Sequence, residues 1–157
     1  MSNETTETGD REIASEDQIR RLIKEWQSAL CDKDLQRLTA NYSSDIVFFD
    51  VVPPFQTTGV EGYREKFGGF FPYLPARIET EQRDLKIKVS GDLAFAHCLT
   101  RIVNAETREA ATCGWVRATV CYQRQEGQWR VVHEHVSVPF DPVSGRAVLK
   151  QGFEKDA

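Results

Sequence analysis

The segment from residue 112 to residue 138, TCGWVRATVCYQRQEGQWRVVHEHVSV, decides the fold class of this chain. Both of its halves are rich in β-branched and aromatic residues, which favour strands, and the polar QEGQ between them is typical of a hairpin turn. If this turn places Arg124 opposite Trp129, the antiparallel register puts Thr119 opposite Glu134. The segment therefore predicts two paired strands.

Two earlier segments are also rich in β-branched and aromatic or other apolar residues: IETEQRDLKIKV (residues 78–89) and DLAFAHCLTRIV (residues 92–103). The turn signals SGD and NAETREA separate these strands from each other and from the hairpin. Together the four segments predict an antiparallel meander, and a short strand is expected before it, near residues 45–52.

Three further segments show the spacing of amphipathic helices. They are SEDQIRRLIKEWQSAL (residues 15–30), DKDLQRLTANY (32–42) and GVEGYREKFGGFF (59–71). Ser15 and Gln18 stand at capping-box spacing, and Pro72 and Pro75 stop the third helix. Because the helices precede most of the strands, we expect an α+β fold in which helices cover one face of a curved sheet and leave a pocket between the two layers.

The chain has 157 residues, of which 40% are hydrophobic, enough for one domain with a buried core. We expect the domain to cover residues 15–140, residues 1–14 to be disordered or loosely attached, and residues 141–157 to form a C-terminal tail. The net charge of -4, with both signs interspersed, argues against a nucleic-acid partner.

The four cysteines lie far apart without a C-x-x-C pair, and the N-terminal segment lacks the basic and apolar regions of a signal peptide. No run of about eighteen apolar residues is present, so we expect no membrane span. These features predict a cytoplasmic protein with reduced thiols.

The order of these elements, with KDLQRLTANYSSDIVFFD (residues 33–50) in front and CYQRQEGQWRVVHEHVSVP (residues 121–139) behind, resembles the nuclear transport factor 2-like superfamily. Over roughly residues 14–140 the likeness is to its SnoaL-like and ketosteroid-isomerase-like proteins. The ending QWRVVHEHVSVP also resembles the last strand of the association domain of calcium/calmodulin-dependent kinases. The resemblance implies a cone-shaped α+β roll, usually dimeric or larger, with N-terminal helices packed on a curved, mostly antiparallel sheet that encloses a pocket.

Asp50, in FFDVVPP, falls on the position of the general base of ketosteroid isomerase, at the end of the first strand and before a Pro-containing turn. Trp26 matches the tyrosine that donates to the oxyanion in that enzyme, and Thr119 matches the protonated aspartic acid beside it. Indole and hydroxyl donate hydrogen bonds less strongly than those two groups. Strand alternation alone leaves a second interpretation open, in which Asp50 points to solvent.

The match of Thr119 to a pocket residue implies which face of the sheet is concave, and strand alternation extends the set. The stretch AFAH aligns so that His97 joins it, and a one-residue bulge would reverse part of the assignment. The expected ligand-binding residues are Trp26, Leu99, Arg101, Arg117, Thr119, Val132, Glu134 and Val136, and the expected catalytic residues are Asp50 and His97.

Two carboxylates, two arginines and a histidine in one enclosed volume fit a site for an anionic or carbonyl-bearing ligand. With Asp50 as general base and His97 beside it, Arg117 or Arg101 would stabilise developing negative charge. Structural interpretations stay open for three sets of residues: an ion pair between Arg117 and Glu134, a core position for His97, and a core position for Trp26.

His133 and His135 project from one face of their strand and offer two ligands to a metal, but no third ligand follows at suitable spacing. We therefore expect no metal, and because the sequence has no phosphate-binding glycine loop and no nicotinamide or flavin motif, we also expect no cofactor. Their face is instead expected to pack against a second subunit, together with the apolar residues Val116, Val120, Tyr122 and Val131.

These observations predict a homodimer that binds a small organic molecule. As an enzyme it would carry out cofactor-free acid/base chemistry next to a carbonyl, leading to isomerisation, cyclisation or dehydration. The alternative is a non-catalytic ligand-binding or oligomerisation module, whose arginines would hold a carboxylate ligand without turning it over.

Overall fold

The computed structural model describes the backbone of residues 3–149 and the side chains of residues 6–149. The helices are α1 (Asn3–Cys31), α2 (Leu35–Leu38) and α3 (Val60–Phe70), and a 3-10 helix (Phe71–Tyr73) follows α3. The strands are β1 (Tyr42–Phe49), β2 (Thr57–Thr58), β3 (Ile78–Ser90), β4 (Leu93–Asn104), β5 (Val116–Gln125), β6 (Gln128–Ser137), β7 (Phe140–Asp141) and β8 (Arg146–Ala147).

Six strands form one sheet in the order β2-β1-β6-β5-β4-β3. The neighbours are antiparallel except for β1 and β6, which run parallel. The predicted antiparallel meander is therefore confirmed as β3 to β6, and β1 continues the sheet on the other side of β6, with the short strand β2 at the edge. With the helices packed on one face, the molecule is the expected α+β roll.

The core lies between the helices and the concave face of the sheet. Ile19 and Leu30 of α1 are buried there, as is Tyr63 of α3, whose ring stacks on Phe67 with centroids 4.6 Å apart. Removing each such side chain from water contributes about 1.5–3 kcal/mol. These contacts hold α1 and α3 over the sheet without filling all the space beneath them.

Helix α1 is longer than the sequence predicts, because it begins at Asn3 rather than at Ser15. Ser15 is buried within the helix, where its hydroxyl accepts a hydrogen bond of 2.9 Å from Arg124 Nη2 instead of capping the helix. The side chains of residues 6–14 are mostly exposed. Residues 1–2 of the predicted N-terminal segment and residues 150–157 of the predicted tail lie outside the described residues.

The tail is not wholly irregular, since β7 and β8 pair as a small separate hairpin. None of the helices in residues 3–149 is long and apolar enough to cross a membrane. All four cysteines are free thiols.

Candidate functional site

A cavity of about 660 Å³ lies between the helices and the concave face of the sheet. Its wall is mainly apolar, with contributions from Leu22, Trp26, Phe67, Phe70, Val120 and Val131. Its size is in the range of pockets that hold small organic molecules, and polar and charged side chains such as Asp50, Lys66 and Glu134 interrupt the apolar wall. This cavity is therefore the candidate site.

Strand alternation decides which residues of β5 reach the cavity. Ala118, Val120 and Tyr122 line it, whereas Arg117 and Thr119 are exposed on the outer face of the sheet. In β4 the alternation likewise brings Ala96, Cys98 and Thr100 inward. The wall of the cavity is thus built from the apolar set of β5, which the sequence analysis assigned to the outer face.

A β-bulge at Val132 shapes the last strand. Tyr122 pairs with Val131 as the hairpin turn predicts, but Cys121 pairs with His133, so Val132 is the extra residue. Because of this extra residue, Val131 and Glu134 both face the cavity although they are three positions apart. The bulge is what brings a carboxyl group into line with the apolar wall.

The structure brings only part of the predicted site together. Trp26, Asp50, Arg101, Glu134 and Val136 line the cavity. The other predicted residues do not line it: His97, Leu99, Arg117, Thr119 and Val132. Their predicted placement in the cavity is wrong. The match of Thr119 to a pocket residue assigned the wrong set of alternate residues of β5 to the cavity, and the assignment of β4 rested on the same family comparison.

The structure also contradicts the two alternatives in which Arg117 forms an ion pair with Glu134 and His97 is a core residue. Arg117 lies across from Ser137 in the sheet and donates from Nε to its hydroxyl at 3.1 Å, so it forms no ion pair with Glu134 on the opposite face. His97 is exposed beside the ring of Phe95, with which it stacks at a centroid distance of 6.3 Å. Both residues belong to the outer face of the sheet.

Glu134 is a carboxyl group enclosed by hydroxyls and rings. Only 7% of the residue is exposed. The hydroxyl of Tyr42 donates to it, lying 3.3 Å from Oε2, and stands 3.0 Å from the hydroxyl of Tyr63. The pKa of Glu134 is raised to about 7. Burial is the largest cause and raises it, the hydrogen bonds from the two tyrosines lower it, and the negative charge of Asp50 adds a smaller increase. Glu134 is therefore poised to gain or lose a proton near neutral pH.

The two tyrosines stay protonated. Burial, and then the nearby carboxyl of Glu134, raises the pKa of Tyr42 and of Tyr63 well above the usual range. The indole N–H of Trp26 is buried close to the hydroxyl of Tyr63 without a well-formed hydrogen bond. Neutral hydroxyl and indole groups thus surround the carboxyl group of Glu134.

Asp50 follows the last residue of β1 and lies in the wall of the cavity beside α3. Its Oδ2 is 3.1 Å from Lys66 Nζ, and its Oδ1 accepts a hydrogen bond of 2.7 Å from the backbone N–H of Val51. Both side chains of the ion pair are mostly buried, with 19% of Asp50 and 17% of Lys66 exposed. The carboxylate is thus held in a fixed orientation.

Asp50 and Glu134 come from neighbouring strands. Phe48 lies beside Glu134 in the parallel pair of β1 and β6, and Asp50 follows two residues after Phe48. In this arrangement two carboxyl groups face one apolar cavity, one paired with a lysine and one with hydroxyls. Groups placed in such different surroundings are suited to different roles in proton transfer.

Sequence reasoning missed Tyr42, Tyr63, Lys66 and Cys98. Tyr42 and Tyr63 were predicted to lie on the apolar faces of helices. The presence of a hydroxyl group on a face expected to be buried was the one sign in the sequence that these residues could hydrogen-bond inside the protein. Cys98 lines the cavity next to Gln82, whose amide nitrogen is 3.5 Å from its sulfur, and burial raises the pKa of its thiol. Nothing in the sequence indicated that Lys66 would pair with Asp50.

Within residues 3–149 no group of three His, Cys, Asp or Glu side chains is placed to hold a metal ion. His133 donates from Nδ1 to the carbonyl of Val47 at 2.7 Å and lies with His135 on the outer face, away from the cavity. The absence of a metal and of a cofactor stays a prediction.

The fold and the cavity together define a class, the NTF2-like α+β roll. A solved structure of an NTF2-like protein of unknown function from Pseudomonas putida KT2440 is 37% identical, with a TM-score of 0.80, and the match covers 87% of this chain and 95% of that chain. Two structures at 16% identity share the fold: a candidate dehydratase of the NTF2-like family from Streptomyces avermitilis (TM-score 0.65, 77% of this chain, 93% of that chain) and a candidate calcium/calmodulin-dependent protein kinase II association domain from Xanthomonas campestris (TM-score 0.63, 76% and 84%).

The family model of the SnoaL-like domain matches residues 19–141. The chain therefore belongs to the SnoaL-like domain family, as the sequence resemblance implied. No curated protein matches it.

Proposed function

We propose that the protein binds a small, mostly apolar carbonyl compound in the cavity and catalyses cofactor-free acid/base chemistry on it, of the isomerase, cyclase or dehydratase type. One observation carries the proposal: Asp50 and Glu134 share a single apolar cavity while their carboxyl groups have different partners. An apolar cavity accommodates the body of the ligand, and the carboxyl groups act on its polar end.

The two carboxyl groups divide the chemistry. Asp50 accepts a proton from the carbon next to the carbonyl, and protonated Glu134 donates a hydrogen bond to the carbonyl oxygen as negative charge develops there. Asp50 then returns the proton to the same or a neighbouring carbon, which regenerates the site. Because the pKa of Glu134 is about 7, it is available as a donor near neutral pH. His97, on the outer face, has no part in this scheme.

The alternative is a ligand-binding or assembly module without catalysis. The ion pair between Asp50 and Lys66 favours it, because a mostly buried carboxylate 3.1 Å from an ammonium group already has a structural partner. The structural likeness to the Xanthomonas campestris protein, whose name points to an association domain, agrees with it.

Hydrogen–deuterium exchange at the α-carbons of a panel of ketones, followed by NMR, tests the proposal. The enzyme is expected to speed exchange of the ketones that fit the cavity, and a tightly bound competitor should suppress this effect. If no ketone exchanges faster than in buffer while ketones still bind, the module without catalysis is the better account.

We further propose that two copies of the chain associate through the outer face of the sheet. On this face 44% of Phe95 and 59% of Leu93 are exposed, and the ring of Phe49 meets the rings of His133 and His135 edge to face. Exposed aromatic and aliphatic side chains on a regular sheet favour a symmetric contact with a second copy.

The variant Phe95→Glu is expected to weaken self-association by at least about 100-fold, because a symmetric contact would bury one unpaired carboxylate from each copy. Sedimentation velocity over a concentration series measures the effect. Ile13→Glu is the matched control, since it makes the same change at a 62% exposed position on α1. A dimer that persists in Phe95→Glu would rule out this face.

A further inference from the structure

The cations in the wall of the cavity are all paired with acidic side chains within the described residues. Arg37 lies 2.6 Å from Asp32, Lys66 lies 3.1 Å from Asp50, and Arg101 lies 2.7 Å from Glu81. The guanidinium of Arg101 also lies 4.9 Å from the centre of the Trp115 ring. Two arginines were expected to hold an anionic ligand. Arg101 is instead paired with Glu81, and Arg117 lies on the outer face of the sheet.

Glu134 contrasts with these groups because it forms no ion pair with any cation of residues 3–149. Among the described residues its neighbours are Tyr42 from β1, Tyr63 from α3, Tyr122 from β5 and Cys98 from β4, and the charged group that acts on its pKa is the carboxylate of Asp50, which is itself paired with Lys66. Each of these neighbours is neutral or negative. An anion placed against Glu134 would therefore be compensated by no cation that lacks an acidic partner, since Lys66 and Arg101 in the described part of the cavity wall are paired with Asp50 and Glu81.

The charge on a ligand therefore matters at this end of the cavity. A ketone accepts a hydrogen bond from the protonated carboxyl group, and when that proton is lost the ketone loses this bond but meets no charge repulsion, because it carries no charge. A carboxylate of the same shape meets a second negative charge once Glu134 ionises, and this charge lies on a residue that is only 7% exposed. The two ligands should respond differently to pH.

We propose that Glu134 is a specificity-determining residue that makes the cavity select uncharged carbonyl compounds over carboxylates of the same length. This inference rests on the ligand-binding part of the proposed function and does not require catalysis. It replaces the expectation that arginines hold a carboxylate ligand with a selection against such ligands.

The matched probes are 2-nonanone and octanoate, which share a heptyl chain and a carbonyl group and differ in a methyl group against a charged oxygen. If octanoate binds only while Glu134 carries its proton, its affinity should fall about tenfold between pH 6 and pH 8, around the pKa of about 7. The affinity for 2-nonanone should change by no more than about fivefold, because it loses at most one hydrogen bond of about 1 kcal/mol.

Isothermal titration of both probes at pH 6 and pH 8 tests the inference. Glu134→Gln should abolish the pH dependence of octanoate binding, whereas Glu65→Gln, the same change at an exposed position of α3, should behave like the wild type. Should Glu134→Gln fail to fold, the comparison of the two probes on the wild type still decides.

Octanoate that binds as tightly as 2-nonanone at pH 8, or that keeps its pH dependence in folded Glu134→Gln, overturns the inference. So does a failure of both probes to bind at either pH, which would also remove the ligand-binding part of the proposed function. Binding of 2-nonanone with the expected selectivity but without α-carbon exchange overturns only the catalytic part.

Discussion

Replacing Glu134 by glutamine is expected to raise the free energy of unfolding at pH 8 by about 3 kcal/mol and to change it by less than about 1 kcal/mol below pH 4.5. In the wild type the folded protein keeps the proton on Glu134 up to a pKa of about 7, compared with the ordinary value of 4.5. Between these two values the unfolded chain has released the proton and the folded chain has not. Stability is therefore lost as pH rises through this window, and the loss is complete above pH 7.

Glutamine carries no charge at any pH and retains an oxygen that accepts from Tyr42, so the variant lacks this loss. Chemical denaturation of both proteins from pH 4 to pH 8.5 measures the difference, and the contributions of all other titrating groups cancel between them. Glu65→Gln, exposed on α3, serves as the control and should follow the wild type. Parallel curves for the wild type and Glu134→Gln would mean that Glu134 is already ionised in the folded protein at pH 5.

The pattern of β-branched, aromatic and turn residues was sufficient to predict the fold and the strand pairing near the last turn. It was also enough for the faces of β5, where Ala118, Val120 and Tyr122 alternate with the more polar Arg117 and Thr119. That apolar alternation points Ala118 and Tyr122 to the core, as the structure has them. The error arose because the match of Thr119 to a catalytic residue of distant relatives was given more weight than the local pattern.

The bulge in β6 could not be predicted in the same way. Val132 is the extra residue, and it has the same β-branched, apolar character as Val131 beside it, so no change of composition marks the site. Its effect is nonetheless large, since it rotates every later residue of the strand relative to the hairpin turn. Glu134 was expected in the cavity and lies there, but it lies opposite Val120 rather than Thr119.

The contacts that give the site its chemistry join distant parts of the chain. The hydroxyls of Tyr42 and Tyr63 come from positions 21 residues apart, and Tyr42 and Glu134 are separated by 92 residues. The ion pair of Asp50 and Lys66 depends on how α3 turns over the end of β1. Periodicity reports which side of an element is buried, but it does not report which buried side chains meet, because that depends on how the elements pack.

Asp50→Asn is expected to slow the α-carbon exchange of a bound ketone by about 10²- to 10⁴-fold, the usual contribution of a general base. Asparagine keeps the shape of the side chain and its acceptor for the N–H of Val51, but it does not take up a proton. The dissociation constant for 2-nonanone should stay within about threefold of the wild-type value, because the base acts mainly in the transition state. NMR exchange rates and titration of the same samples give both numbers.

The variant Lys66→Met tests whether Asp50 acts as the base or serves only as the partner of Lys66 in an ion pair. It keeps the carboxylate of Asp50 and removes the ammonium group 3.1 Å away, so the exchange rate should be retained or increased if Asp50 is the base. If Asp50→Asn and Lys66→Met reduce exchange and stability equally, the pair only holds the loop after β1 against α3. In that case the fixed carboxylate would be part of the cavity wall, and Glu134 would be left as the group in the cavity that exchanges protons near pH 7.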